Sequence, residues 1–325
     1  MRILVTGSSG HLGDALVRVL TDAGEEVVGL DVLDAPQTDV VGSITDRAIV
    51  RRTLDGVEAV VHVATLHKPH VGTHARQEFV DVNVTGTLVL LEEAVAAGVG
   101  RFVFTSTTSA FGRALVPPAG APAAWITEDV VPVPRNVYGV TKVAAEDLCE
   151  LMHREGGLPC LVLRTSRFFP EADDRDEVRA AFDDLNVKVN ELLYRRVDVE
   201  DVVTACRCAL ERAPALRFGR YIVSATTPFA PSDLPALRAD APAVVRRLHP
   251  DFEALYAERG WRMFDSIERV YVNARARRDL GWAPRHDFGA ALERMRAGED
   301  PRSPLARAVG AKGYHAESTG PYTAR

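Results

Sequence analysis

Short apolar runs alternate with helical patterns along the first half of the chain, and that alternation predicts most of the architecture. RILVT reads as a strand, and GDALVRVLTDAG as a helix that stops at Gly24. EVVGLDV is a second strand, DRAIVRRTLDG a helix, and EAVVHVA a third strand. The pattern EFVDVNVTGTLVLLEEAVAAGV predicts one long helix before a fourth strand, RFVFTST. PRNVYGVTKVAAEDLCELMHREGG is helical up to its glycine stop, and CLVLRTS is a fifth strand. Strands separated by helices need right-handed crossovers, which build a parallel sheet covered on both faces. The expected class is α/β, a doubly wound parallel sheet with a smaller C-terminal substrate-binding lobe.

The second half is less regular. FFPEADDRDEVRAAF and TTPFAPSDLPALRADAPAVV are rich in charge, Pro and Ala, which predicts loops and short helices around the same sheet. Residues 1–165 are read as a nucleotide-binding domain. Residues 166–325 are read mainly as the substrate lobe, with strands returning to the sheet near 195–225. The stretch GEDPRSPLARAVGAKGYHAESTGPYTAR is dense in Gly, Pro and Ser and reads as an irregular tail, either loosely ordered or packed along a neighbouring surface.

Composition narrows the function classes. The chain has 325 residues, 46% hydrophobic and 26% charged, enough to bury a full core. A net charge of -6 argues against nucleic acid or an anionic membrane as partner. The start, MRILVTGSSG, reads as a strand and a loop, not a signal peptide, and no apolar run is long enough to span a bilayer. Cys149, Cys160, Cys206 and Cys208 show no CxxC spacing and read as reduced thiols of a cytoplasmic protein.

ILVTGSSGHLGDALV places Gly7, Gly10 and Gly13 between a predicted strand and a predicted helix. Gly7 permits the tight turn, Gly10 admits a pyrophosphate close to the backbone, and Gly13 lets the helix pack against the sheet. The helix N-terminus then offers unpaired N–H groups to the phosphates. Ser9, His11 and Leu12 complete the loop, His11 by backbone and packing more than by chemistry. Asp31 ends the second strand, where a carboxylate accepts from the adenosine ribose hydroxyls and repels a 2′-phosphate. No Lys or Arg follows nearby, which favours NAD over NADP. These features make the sheet Rossmann-type. Asp46 and Ala64, in the loops after SIT and VVHV, are further cofactor-side candidates.

Tyr138 and Lys142 are four apart on one predicted helix and so share a face. An ammonium near a phenol favours the phenolate, and a base at neutral pH needs such a neighbour. The hydroxyl run FTSTTSAFG ends the fourth strand and can polarise a substrate alcohol. YxxxK spacing alone arises by chance in many helices.

In combination these stretches resemble the extended short-chain dehydrogenases/reductases, the NAD-dependent epimerase/dehydratase family. TGSSGHLG, Asp31, VVHVA, Asn83 in DVNVTGTLVLLEEA, FVFTSTTSAFG, TEDVVPVPRNVYGVTKVAAED, LVLRTSRFF, RRVDVEDVV and RRDLGWAP carry the likeness over nearly the whole chain. The resemblance implies a catalytic Thr107–Tyr138–Lys142 triad, with Ser106 just before it. It also implies Asn83 and Lys142 at the cofactor, and a homodimer through the Tyr-bearing helix and the long helix before it.

The departures bear on the substrate. The family's 4,6-dehydratases carry Asp-Glu after the catalytic Thr; here Thr108 and Ser109 stand there, which argues against water elimination. UDP-sugar epimerases have Asn at Arg167 and Arg at about Tyr194, so a nucleotide moiety is in doubt, and RTSRFFPE resembles uronate dehydrogenases. Arg167 and Arg195 are candidate carboxylate or phosphate ligands, each with a surface ion pair as the plain alternative. Phe168 or Phe169 can line the pocket. TLHKPHVGTH sets His67, Lys68, His70 and His74 in the loop after the third strand, at the sheet's ligand-binding edge. Substrate contact by His67 or Lys68 is weighed there against a solvated loop; zinc fits no established spacing, and no metal is expected. The reading is NAD-dependent hydride transfer at a secondary alcohol of a sugar-like substrate, leaning to net oxidation. Epimerisation by retained NAD is the alternative. An NAD-binding sensor without turnover stands third, since both Tyr138 and Lys142 are present.

Overall fold

The structure is a computed structural model and describes residues 1–312. β1 (Arg2–Thr6), β2 (Glu26–Asp31), β3 (Val40–Val41), β4 (Ala59–His62), β5 (Arg101–Thr107), β7 (Cys160–Thr165) and β8 (Phe218–Val223) form the main sheet among the described residues. Its order is β3-β2-β1-β4-β5-β7-β8, and every pairing is parallel. Strand order reverses between β1 and β4, which opens a crevice at the carboxyl edge.

Alternation along the strands divides the core. Ile3, Val5, Val61, Val103, Leu161 and Leu163 face α1 (His11–Asp22) and the helix Val199–Leu216. Leu4, Val60, Phe102, Phe104 and Val162 face the opposite layer of α2 (Arg47–Thr53), α4 (Thr87–Ala96) and α5 (Val137–Gly156). A third core around Phe252, Tyr256, Phe288 and Leu292 belongs to the lobe, which carries the short parallel pair of β6 (Ala124–Ile126) and β9 (Arg269–Tyr271).

Two expectations need correction. The long helix is not uniform: α3 (Arg76–Val80) runs into a wider π turn, Asp81–Gly86, before α4. Asn83 lies within this turn, buried, with its amide bonded to the Leu66 backbone. The tail read as irregular carries a helix at Pro304–Val309, capped by Ser303, whose hydroxyl accepts from the Ala306 N–H at 3.0 Å. The last part of that tail, 313–325, lies outside the described residues. Among the described residues no helix is long and apolar enough to cross a membrane.

Candidate active site

A cleft of about 1170 Å³ runs along the carboxyl edge, from the glycine loop to the lobe. At its first end the chemistry is backbone. Gly7 has φ +70°, and a Cβ there would lie 2.7 Å from the Ala64 nitrogen. A Cβ on Gly13 would lie 1.9 Å from the Gly7 carbonyl oxygen, so α1 approaches the loop this closely only through glycine. Ser9 lines the cleft, and its Oγ is buried with no hydrogen-bond partner. A buried hydroxyl beside a helix N-terminus fits a phosphate oxygen. Asp31 is fixed at the end of β2, accepting from the Ser9 N–H at 3.1 Å and the Leu33 N–H at 3.0 Å. Residues 32–37, which line the cleft beyond it, include no Lys or Arg. The loop and Asp31 thus fit a dinucleotide without a 2′-phosphate.

Besides Gly13 and Lys142, which stand behind the lining residues, Asp46 and Asn83 do not line this cleft. Asp46 caps α2, accepting from Ala48 and Ile49 N–H at 2.9 and 3.1 Å; Ser43 and Ile44 line the cleft instead. Asn83 works one layer back. Its Oδ1 accepts from the Leu66 N–H at 2.8 Å, and its Nδ2 donates to the Leu66 carbonyl at 2.8 Å and to Thr141 Oγ1 at 3.1 Å. It ties the strand-end segment after Ala64 to α5. His62, which the sequence reading passed over, is a second tie. Thr87 donates to the Asn83 carbonyl, so its oxygen accepts from His62 Nε2–H at 2.9 Å, and Thr6 donates to Nδ1 at 2.7 Å. Burial, then the charge of Lys142, pulls this imidazole down to about 3, so it stays neutral.

β5 and α5 supply the centre of the cleft. Tyr138 and Thr107 line the cleft together; burial pushes the phenol up to about 12, while the Thr107 side chain pulls the other way. Lys142 Nζ donates to the Thr105 carbonyl at 2.7 Å and lies 4.0 Å from the centre of the Phe104 ring. Burial brings this ammonium down to about 7. Lys142 is therefore anchored on the strand, one helical turn from the phenol, and lies behind the lining residues. Thr108 and Ser109 follow on a 3₁₀ turn whose N-cap is Thr107, accepting from the Ser109 N–H at 3.1 Å.

One turn beyond Lys142 stands Glu146, buried with Arg164 of β7. Ser106 donates to Glu146 Oε1 at 2.5 Å and Arg164 Nη2 to Oε2 at 2.7 Å. This ion pair clamps α5 to β5 and β7 beneath Tyr138 and Thr107. Its signals were present in the sequence: a third polar residue at fourfold spacing after Tyr138 and Lys142, and an Arg inside the apolar run CLVLRT.

The lobe end is built from charges and rings. Glu191 is fully buried and ion-paired with Arg167 at 3.0 Å, Arg195 at 2.6 Å and Arg196 at 2.8 Å. Burial alone would raise its carboxyl; the three guanidiniums override that and hold it well below the usual range. Asp173 joins at 2.7 Å from Arg167. Arg167 and Arg195 both line the cleft, so they are neither surface pairs nor unmatched cations. Lys68 lines it too, paired with Asp174. The rings of His11, Phe168, Phe169 and His67 follow one another along the wall, with centroid separations of 6.0, 4.7 and 5.4 Å. His70 and His74 continue the series, and His70 Nδ1 accepts from the His67 N–H at 3.0 Å. Among the described residues no group of three or more His, Cys, Asp or Glu could hold a metal ion.

Similarity to known proteins follows the same geometry. The chain is 32% identical to a UDP-glucose 4-epimerase of Erwinia amylovora over 165 residues, 46% of this chain and 47% of that protein. It is 41% identical to sterol demethylase protein B of Methylococcus capsulatus over 131 residues, 37% of this chain and 38% of that one. The chain thus spans about half or less of the length of these curated relatives. A short-chain dehydrogenase/reductase superfamily protein from Agrobacterium tumefaciens, solved with bound NAD, superposes with a TM-score of 0.65 at 24% identity, covering 95% of this chain and 99% of that one, and so shares the fold. The model of the NAD-dependent epimerase/dehydratase family matches residues 3–223, well over half the chain, and the protein belongs to that family.

Proposed function

We propose that this chain transfers hydride between a secondary alcohol of a sugar or sugar-acid-like substrate and NAD, with net oxidation as the reaction. The observation that carries it is Tyr138 and Thr107 lining one cleft, with Lys142 anchored on the Thr105 carbonyl one helical turn from the phenol. Gly7, Ser9, Gly10 and the N-terminus of α1 would hold the cofactor's diphosphate, and Asp31 its adenosine ribose. NAD supplies the two-electron acceptor. Thr107 hydrogen-bonds the substrate hydroxyl and keeps it in reach of Tyr138. Tyr138 takes the hydroxyl proton as the carbonyl forms, and protonated Lys142 favours the phenolate that accepts it. The substrate's anionic group would meet Arg167 and Arg195.

Net oxidation is supported by the lobe end, where Arg167 and Arg195 are already matched by Asp173 and Glu191. That arrangement suits a small substrate better than a nucleoside diphosphate. Epimerisation is the second reading, favoured by the likeness to a UDP-glucose 4-epimerase. Dimerisation through the Tyr-bearing helix is supported by Val140, an apolar residue 54% exposed on α5, and light scattering tests it.

The deciding experiment is to purify the protein without added nucleotide, denature it and quantify NAD and NADH per chain. Little retained cofactor, followed by NADH production from sugar acids or free sugars, is the expected result. Nearly one cofactor per chain, with no net NADH from any alcohol, replaces oxidation by epimerisation.

A further inference from the structure

The chain from 303 to 312 returns to the glycine loop. Ser303 donates to Asp198 Oδ1 at 2.6 Å, and Val309 enters the core shared with α1. His11 Nδ1 then lies 3.0 Å from the Gly310 carbonyl oxygen. A carbonyl only accepts, so His11 carries its proton on Nδ1. Burial pulls the ring down to about 4 and keeps it neutral. Two residues on, Lys312 pairs with Asp14 and lines the same cleft as Gly7 and Gly10.

Asp14 is the unusual neighbour. It is fully buried in the first turn of α1, the helix whose N-terminus faces the cleft at the glycine loop. Burial alone would raise its carboxyl, but hydrogen bonds from Arg18 and Lys312 hold it below its ordinary value, so it is charged. An unneutralised carboxylate at that depth would oppose a diphosphate arriving at the loop. Arg18 donates to it from one turn along the helix, at 2.6 Å, but does not line the cleft. Lys312 does both.

We propose that Lys312 is a cofactor-binding residue: its ammonium cancels the charge of Asp14 at the diphosphate end of the cleft and donates to the phosphate oxygens. A residue 298 positions away in sequence would then complete the glycine loop's anion site. The proposal rests on the family's use of NAD and holds for either reaction considered above.

Binding of NAD and of adenosine to protein stripped of nucleotide tests it. Lys312→Ala weakens NAD binding about tenfold and flattens its salt dependence, with adenosine affinity unchanged and a melting temperature only slightly lowered, since Arg18 still pairs with Asp14. Lys312→Arg restores most of the NAD affinity. In an Asp14→Asn background the loss on removing Lys312 shrinks, because the charge it cancels has gone. NAD affinity within about twofold of the parent in Lys312→Ala overturns the proposal. So does an equal loss for adenosine, or a loss that only tracks a fall in melting temperature, since either would mean that Lys312 merely props the fold.

Discussion

The two ends of the cleft recognise their ligands by different physics. At the glycine loop the surface is backbone, and side chains matter mainly by being absent: Gly13 has no room for a Cβ beside Gly7. At the lobe the surface is assembled from long side chains, with Glu191 bonded to three guanidiniums and a run of rings along the wall. A backbone site is fixed by a short local sequence and tolerates almost no change. A side-chain site is gathered from distant segments and can be re-cut for a new substrate while the sheet stays as it is. Tyr138 and Thr107 stand between the two, held by the strand and helix that both ends share.

Tyr138→Phe should have the largest effect and leave both ends intact. A fall of about a thousandfold in kcat is expected, with NAD affinity unchanged by titration. Glu191→Gln attacks the lobe end alone. Buried Arg196 and the part-buried Arg167 and Arg195 lose their shared charge, and about 3 kcal/mol of stability should go, read from urea midpoints. Acid attacks the glycine-loop end. His11 and His62 stay neutral when folded, with values lowered to about 4 and about 3, while the unfolded rings take protons near pH 6.5. Between those values the unfolded state binds more protons, so their contribution is whole above pH 6.5 and is lost as pH falls towards 4. The expected loss is on the order of a few kcal/mol by denaturant titration at pH 7 and 4.5. Gly13→Ala should cost about 2 kcal/mol through overpacking, with NAD affinity reduced more than substrate affinity. If substrate affinity fell equally, the two ends would not be independent.

What could be read in the sequence follows this division. The strands, the crossover helices, the glycine loop and Asp31 depend on local pattern, and each stands where its residues implied. Tyr138 was accessible for the same reason, through helix spacing; the strand end gave only a run of hydroxyls, from which the family resemblance picked Thr107. Asp46 caps α2, a use that a carboxylate before a helix serves as readily as ligand binding, and sequence spacing does not separate the two. Glu146 with Arg164 left a trace in the sequence, but which residue pairs with which across strand and helix is not encoded by spacing; nor is the pairing of Glu191 with Arg167, 24 residues away. Lys312 was hidden because a stretch rich in Gly, Pro and Ser shows no periodicity that says which surface it packs on; Val309 and Gly310 dock it against the first helix.

The π turn at Asp81–Gly86 makes the fold and the chemistry separable by a single codon. It amounts to one residue inserted into an otherwise regular helix, so excising one residue there would let α3 and α4 fuse into an ordinary helix. The shortened protein would keep its layers. It would lose the seat of Asn83, and with it the brace on the segment after Ala64. Insertion and deletion histories at this point should therefore sort descendants that still turn over substrate from those that only fold.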